Sequence, residues 1–304
     1  MSEQRRGVMF GAAAYIMWGV FPLYFPLLEP AGAWEILGHR IVWSLVVAGA
    51  LVLIVGRRAQ VAAILRDRRK LGLLAAAAAV ISINWVTYIW GVNNGRIVET
   101  SLGYFTNPLV TMLMGVIILR ERMRKLQWVA LGIAFLAVVV LTIDYGRLPW
   151  VALVLAFSFG TYGLLKKSAG VGPFESLAVE TAVTVPFALA LLVALQATSN
   201  GTLVGHGVVH VLLLISLGVI TVVPLACFGA AAIRVPMVTI GLLQYLAPIL
   251  QFAVGVFIAH EAMPPGRWVG FAIVWLALII FSAEAVHHRR QVLRTLVTPT
   301  SSTV

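Results

Sequence analysis

Ten apolar stretches, each long enough to cross a lipid bilayer, account for most of the sequence. They lie near residues 7–28, 35–55, 71–93, 98–119, 127–143, 149–166, 176–195, 209–232, 237–259 and 265–285. A membrane-spanning helix needs about 20 predominantly apolar residues, and backbone that faces lipid must satisfy its own hydrogen bonds. Because 61% of the 304 residues are hydrophobic and only 11% are charged, a soluble core of this size could not bury the apolar surface. The sequence therefore predicts an all-α integral membrane protein with ten transmembrane helices.

The basic residues are concentrated in one set of loops. The formal net charge is +11, which by itself would also suit a nucleic-acid-binding protein. With the N-terminus placed in the cytoplasm, eighteen of the 22 Lys and Arg residues fall in cytoplasmic segments, as the positive-inside rule requires. The exceptions are Arg96, Arg147 and Arg267 in outer loops and Arg40 within the second stretch. We therefore expect two cytoplasmic termini and a lipid bilayer, not a nucleic acid, as the partner.

Part of the sequence recurs at an offset of 140 residues. The pattern P-x6-G-x5-E-x6-W occurs in 101–128 and again in 241–268. Self-similarity at a fixed offset indicates a duplicated structural unit. We therefore predict a first five-helix repeat at 1–146, a second at 147–286, and a polar, disordered cytoplasmic tail at 287–304.

Each predicted repeat has five helices, which is an odd number. The second repeat must therefore enter the membrane from the opposite side, and the two repeats are inverted (5+5). Inverted repeats related by an axis in the membrane plane are typical of secondary transporters, whose two halves exchange conformations around a midplane site. The sequence has no nucleotide-binding pattern G-x4-G-K-[ST]. These features predict secondary-active transport by alternating access.

Several motifs also resemble those of a known family. They are WGVFPLYF at 18–25, EILGHRIVWS at 35–44, NW at 84–85, YIW at 88–90, SLGYFTNPL at 101–109 and QYLAP at 244–248. Over essentially the whole chain, the sequence resembles the RarD proteins of the EamA branch of the drug/metabolite transporter superfamily. This resemblance implies ten helices, two EamA repeats and a bacterial inner-membrane permease that exports small amphipathic metabolites. The chloramphenicol-related label of the family implies an alternative, a multidrug or antibiotic efflux transporter.

Two ionisable residues lie inside predicted transmembrane helices. Arg40 and Glu180 occupy equivalent positions of the second and seventh helices. Charged groups in a membrane are costly, which makes them candidates for substrate contact. From a rise of about 1.5 Å per residue, each lies about 7 Å inside an opposite membrane face, so we expect no simple salt bridge between them. The alternatives are snorkelling of Arg40 to the outer interface and a wet inner vestibule around Glu180.

Polar and aromatic residues form stripes on three predicted helices, with one more aromatic on the first. These candidate substrate-binding residues are Trp18, Asn84, Trp85, Tyr88, Tyr104, Asn107, Gln244 and Tyr245. Residues three or four apart share one side of a helix, so the stripes suit the lining of a central cavity for a polar or amphipathic small molecule. For each residue alone, the alternative is an interhelical hydrogen bond worth about 0.6 kcal/mol.

Two prolines lie within predicted membrane helices at equivalent positions of the repeats. Pro108 and Pro248 each remove a backbone donor and free a carbonyl about one turn earlier. Such a break can serve as a hinge, and a fixed packing kink is the alternative.

The remaining polar residues predict no catalytic chemistry. Glu35 and Glu175 begin helices, where a carboxylate is favoured by the helix dipole. His206 and His210 have i, i+4 spacing, but they lie in an outer loop without a nearby carboxylate or thiol, so we expect no metal site. Cys227 is the single cysteine, which excludes a disulfide.

Intramembrane enzymes need a nucleophile and base or paired acids within the bilayer, whereas both aspartates, Asp67 and Asp144, lie in loops. No G-x-S-x-G nucleophile motif is present. We therefore expect no enzymatic activity and no cofactor, with a small-molecule substrate as the partner. Monomer and dimer both remain open.

Overall fold

The structure, a computed structural model, describes residues 2–119, 123–232, 234–235, 239–240 and 243–297. Its helices are α1 (Glu3–Gly19), α2 (Phe21–Tyr24), α3 (Ala33–Ile54), α4 (Arg58–Arg66), α5 (Arg68–Asn93), α6 (Ile97–Leu119), α7 (Lys125–Tyr145), α8 (Trp150–Ala169), α9 (Pro173–Ala197), α10 (Gly207–Ala232), α11 (Leu246–Ala253) and α12 (Pro265–Val297). A 3-10 turn (Phe25–Leu28) follows α2, and a π-helical turn (Val254–Ile258) follows α11. The described residues contain no strand, which confirms the predicted all-α class.

Seven of these helices are long and apolar enough to cross a membrane, namely α3, α5, α6, α7, α9, α10 and α12. The bent segment formed by Glu3–Gly19 and Phe21–Leu28 would make an eighth span. Helix α8 has Lys166 and Lys167 in its last turn, and these two residues lower its mean hydropathy. The segment Leu246–Ile258 is apolar but shorter. The described residues therefore show seven or eight candidate spans, and the number of ten stays a prediction.

The ninth predicted span, 237–259, is not a single helix in its described part. Gln244 and Tyr245 lie in a turn, and α11 begins only at Leu246. Pro248 consequently lies in the first turn of α11, where a missing backbone donor interrupts no helical hydrogen bond. The break in the predicted ninth span thus lies about one turn before Pro248, and Pro108 lies inside α6. The role of the two prolines as hinges stays a prediction.

Contacts between helices divide the chain into two compact units. Unit 1 comprises Met1–Gly115 and Trp150–Ala262, and unit 2 comprises Val116–Pro149 and Met263–Val304. Each unit contains residues of both predicted repeats. The compact units therefore do not follow the predicted boundary at 146.

Helices of unit 1 pair across the two predicted repeats. Helix α1 packs against α10, α5 against α8, and α3 against α9. The first pair is antiparallel, because Glu3 at the start of α1 binds Arg234, just after α10, at 3.1 Å. The second is antiparallel too, because Trp90 near the end of α5 lies 5.1 Å from Trp150 at the start of α8, between ring centroids. An offset of 140 moves α10 onto α5 and α9 onto α3, so the pairing has the pattern that a two-fold relation between repeats produces.

Apolar side chains lie both in the interior of the protein and on its outer surface. The largest fully buried ones in unit 1 are Phe25, Leu28, Ile36, Leu74, Ile89, Leu102, Leu109, Leu155, Leu214 and Leu217. On the outside, large aliphatic and aromatic side chains such as Ile54 and Phe187 are exposed by 82% and 75%. Helices that are apolar all round are typical of a membrane environment.

Unit 2 is built on the antiparallel packing of α7 against α12. Arg267 in the first turn of α12 binds Asp144 at the end of α7, with 3.2 Å between Nε and Oδ2. Arg124 just before α7 binds Glu284 in the second half of α12, with 2.6 Å between Nε and Oε1. Asp144 and Glu284 are separated by the repeat offset. Equivalent carboxylates thus anchor both ends of the pair.

The C-terminal region is more helical than the sequence predicts. Helix α12 continues to Val297, so the tail predicted to be disordered from residue 287 is helical over its first eleven residues. Residues 298–304 lie outside the described part of the chain.

Candidate functional site

A cluster of buried and half-buried polar and aromatic side chains lies inside unit 1, between α3, α5, α6, α10 and α11. We call it the central cluster, and it consists of Arg40, Asn84, Trp85, Tyr88, Tyr104, Thr221 and Gln251. Three of the seven lie on α5 and the other four lie on four different helices, so only the helix packing brings the cluster together.

Arg40 is the charged member of the central cluster and is only 5% exposed. Its Nε donates a hydrogen bond to Thr221 Oγ1 on α10 at 3.0 Å. Its guanidinium carbon lies 4.2 Å from the ring centroid of Trp85 and 5.7 Å from that of Phe21, a cation–π arrangement. The side chain is therefore enclosed by protein, and it does not snorkel towards an interface.

Asn84 connects three helices through its side-chain amide. Its Nδ2 donates to the backbone carbonyl of Leu155 at 3.0 Å and to Ser158 Oγ at 2.9 Å, both on α8. Its Oδ1 accepts a hydrogen bond of 3.2 Å from the Tyr104 hydroxyl on α6. All the contacts of Asn84 are therefore interhelical hydrogen bonds, which is the alternative that applies to any single polar residue in a membrane helix.

Tyr88 forms the aromatic wall of the central cluster. Its ring makes edge contacts with Tyr104 at 5.5 Å and with Phe25 at 5.8 Å between centroids. Its hydroxyl is buried and lies towards Gln251 without a hydrogen bond of normal geometry. Gln251 Nε2 donates to the Trp18 carbonyl at 3.2 Å, while Gln251 Oε1 is buried without a partner among the described residues.

Trp18 is connected to the central cluster through its backbone. Its indole ring packs instead against Tyr15 at 5.3 Å and Phe228 at 6.0 Å between centroids. The backbone carbonyl of Trp18, not its ring, therefore reaches the central cluster.

Glu180 belongs to a second buried group. Its Oε1 binds Lys166 Nζ at 2.8 Å, and its Oε2 accepts a hydrogen bond of 3.0 Å from the Tyr162 hydroxyl. Lys166 also contacts Ser176 Oγ. Glu180 therefore pairs with a lysine of its own repeat, and no described contact joins it to Arg40.

Three predicted residues lie apart from these groups. Asn107 Oδ1 accepts a hydrogen bond from Thr111 on its own helix at 3.4 Å. Gln244 and Tyr245 lie in the turn that precedes α11, and both side chains are half-buried. The role of these three side chains as lining residues stays a prediction.

A third buried polar group joins residues that are far apart in the sequence. Glu35 Oε1 accepts from the Thr202 backbone N–H at 2.6 Å, and Glu35 Oε2 accepts from the Thr202 hydroxyl at 3.0 Å. The same hydroxyl shares a hydrogen bond of 2.6 Å with His210 Nε2, and His39 lies 4.0 Å from Glu35. Glu35 therefore binds a segment that is distant in the sequence, in addition to lying at the start of α3, where the helix dipole favours a carboxylate.

His210 is consequently linked to the Glu35 carboxylate through the Thr202 hydroxyl, contrary to the expectation from sequence. His206 Nδ1 contacts the Thr202 carbonyl at 3.1 Å, and the rings of His206 and His210 are 5.6 Å apart between centroids. Among the described residues, no group of three or more His, Cys, Asp or Glu side chains is arranged to hold a metal ion. The contacts of this group include hydrogen bonds among Glu35, Thr202, His206 and His210.

Comparisons with known proteins agree with this helical architecture. Residues 5–143 match the model of the EamA-like transporter family. The chain is 55% identical to Protein RarD from Streptomyces exfoliatus over 290 residues, which cover 95% of this chain and 92% of the relative. The chain belongs to the RarD family of EamA-like transporters. It is also 40% identical to the uncharacterized transporter YojE of Bacillus subtilis (strain 168), covering 95% of this chain and 97% of the relative.

A solved crystal structure has a similar fold. It superimposes with a TM-score of 0.60 at 17% identity and covers 90% of this chain and 96% of the solved one. At this identity the likeness concerns the fold alone. Family membership, the apolar helices and the transporter names of the relatives establish a bacterial multi-pass membrane transporter of the drug/metabolite type.

Proposed function

We propose that this RarD-family chain is a secondary-active permease of the bacterial inner membrane, which exports small amphipathic metabolites by alternating access. The observation that carries the proposal is the central cluster, in which one buried cation lies among aromatic rings and amide groups. Polar side chains inside a membrane protein are costly and mark substrate pathways. A substrate with both an apolar and a polar part complements such a mixed surface.

The pairing of helices across the repeats supports the alternating-access part of the proposal. In unit 1, helices of the first predicted repeat pack on helices of the second, with α3 and α9 related to each other by the repeat offset. A pseudo-two-fold arrangement gives two equivalent packings, and exchange between them opens a central site to either side of the membrane.

The basic surface around α4 supports the proposed orientation. The exposed cations of this region are Arg57, Arg58, Arg66, Arg68, Arg69 and Lys70. Lys and Arg accumulate in cytoplasmic loops of membrane proteins, which supports a cytoplasmic location of α4 and of both termini.

Flux into sealed proteoliposomes tests the proposal. Purified protein is reconstituted, and uptake is measured for amino acids, small aromatic metabolites and chloramphenicol. We expect saturable movement of small amphipathic metabolites without chemical change, above the flux in protein-free liposomes. Saturable flux of chloramphenicol alone would identify an antibiotic efflux transporter instead. A chemically altered product would show an enzyme, and the absence of saturable flux for the whole panel would contradict the permease function.

A further inference from the structure

Arg40 differs from the partly buried cations Lys166 and Arg267 in having no acidic partner among the described residues. Lys166 binds Glu180 at 2.8 Å, and Arg267 binds Asp144 at 3.2 Å. Arg40 is more deeply buried than either, yet no carboxylate of the described residues lies within 4.0 Å of it. A buried charge without a counter-charge is strongly unfavourable. A negatively charged ligand beside Arg40 would offset this cost.

The free donors of Arg40 have the geometry for a carboxylate. A guanidinium carries five N–H donors in a planar fork, and in Arg40 the described residues engage only Nε, through Thr221. Its carbon lies over the face of Trp85, and stacking of this kind uses the face of the guanidinium and not its N–H edge. Edge-on, bidentate binding of carboxylates is what guanidinium groups favour.

Two further buried polar atoms belong to the central cluster. Tyr88 follows Trp85, the residue under the Arg40 guanidinium, by three positions on the same helix. The Tyr88 hydroxyl and Gln251 Oε1 are buried and face each other without a hydrogen bond of normal geometry. Because buried polar groups are almost always satisfied, either a small shift that joins the two or a polar ligand that Tyr88 contacts would complete this arrangement.

We infer that Arg40 and the Tyr88 hydroxyl bind the carboxylate of an amphipathic substrate, whose apolar part contacts the aromatic rings of Phe21, Phe25 and Trp85. This inference rests on the proposed function and names the substrate class of the same site, which is a small organic carboxylate. Tyr88 donates its hydroxyl proton to one carboxylate oxygen, and Gln251 Oε1 accepts from a donor group elsewhere on the substrate. Because these rings offer an apolar surface, we expect the ligand to have an apolar part beside its carboxylate.

Binding to the protein in lipid nanodiscs tests the inference with three matched probes. The probes are 3-phenylpropionate, its neutral amide 3-phenylpropanamide, and the cation 3-phenylpropylamine, supplemented by a series of aromatic and aliphatic carboxylates. Calorimetry at millimolar probe concentrations gives the dissociation constants. We expect the anion to bind about tenfold or more tightly than the amide, and the amine not to bind.

Variants assign this preference to Arg40. Arg40→Gln should remove the discrimination between anion and amide, whereas Arg40→Lys should retain part of it. Arg66→Gln removes the same charge from an exposed position and should change nothing. Tyr88→Phe, which keeps the ring, should weaken anion binding by several-fold and leave amide binding unchanged. If Arg40→Gln fails to fold, the inference is still tested by the preference of the wild-type protein for the anion over the amide and by the effect of Tyr88→Phe on anion binding.

Three outcomes would overturn the inference. They are equal binding of anion and amide, a preference for the anion that survives in Arg40→Gln, and the absence of binding for the whole carboxylate series. Displacement of the probe by chloride at equal concentration would likewise show an unselective anion site. If proteoliposomes transport the amide but not the anion, the permease function stands and the carboxylate assignment falls. If the anion binds but nothing is transported, the carboxylate assignment stands and the permease function falls.

Discussion

Glu35 binds Thr202 through both of its carboxylate oxygens, across 167 positions of sequence. The bond joins the first turn of α3 to the segment that follows α9. Its counterpart at the repeat offset is Glu175 in the first turn of α9, which binds Arg57 just after α3 at 3.2 Å. Each carboxylate therefore ties the start of its helix to the end of the matching helix, and α3 and α9 are antiparallel.

Glu35→Gln should lower the stability of the protein in detergent. The amide has an NH2 group in place of one acceptor oxygen, so one of the two buried Thr202 donors is left without a partner. We expect a loss of about 1–3 kcal/mol, measured as a decrease of the thermal unfolding midpoint. Glu3→Gln, at an exposed position, is the matched control and should change the midpoint little. An unchanged midpoint in Glu35→Gln would show that the network carries no stability.

Gly103→Ala should destabilise the packing of α6 on α8. A Cβ at this position would lie 2.8 Å from the Ala152 carbonyl oxygen and from Leu155 Cβ. Because backbone cannot move aside as a flexible side chain can, we expect a cost of about 1–3 kcal/mol. Gly49→Ala in α3 meets nothing within 4 Å, and it should be neutral or stabilising by up to about 1 kcal/mol. Equal unfolding midpoints for the two variants would contradict the close approach.

Glu180 and Lys166 should be strongly coupled in a double-mutant cycle. Removing one partner of a buried ion pair leaves an uncompensated charge and costs about 3–5 kcal/mol. Glu180→Gln and Lys166→Met should each lower the free energy of unfolding, and the double variant should recover most of the loss. Additive losses, measured by denaturant unfolding in micelles, would show that the pair does not act as a unit.

The orientation predicted from the basic loops can be read by cysteine labelling. Cys227→Ser gives a cysteine-free background, into which Arg66→Cys or Asn200→Cys is introduced at an exposed position. A membrane-impermeant maleimide added to spheroplasts should label Asn200→Cys at once, and Arg66→Cys only after the membrane is permeabilised. The opposite pattern would place the termini outside.

Local features of the sequence predicted the class of the fold but not its polar contacts. Composition and the length of the apolar stretches were sufficient for an all-helical membrane protein, because the bilayer leaves few alternatives. The depth argument that Arg40 and Glu180 do not pair agrees with the partners each residue has. The sequence offered no means of finding Thr221 as the partner of Arg40, since the two are 181 positions apart.

Two further differences have a physical origin that periodicity cannot reveal. Glu35 was interpreted from the dipole of its own helix, whereas Thr202 becomes its neighbour only when α9 packs on α3. Pro248 lies within a long apolar stretch, and the turn at Gln244 and Tyr245 precedes the helix that contains it. Hydropathy averaged over a window of about 20 residues does not resolve a turn of two residues.

The pairing of α1 with α10, and of α3 with α9, also determines the order in which the protein can be assembled. Ribosomes synthesise the chain from its N-terminus, so α1 and α3 enter the bilayer long before the helices on which they pack exist. During that interval the first half has lipid or an insertion factor as its neighbour, and Arg40 has no Thr221 to bind. A polypeptide that stops near residue 146 would therefore lack the partners of most of its helices, and co-production with the remaining half should rescue it.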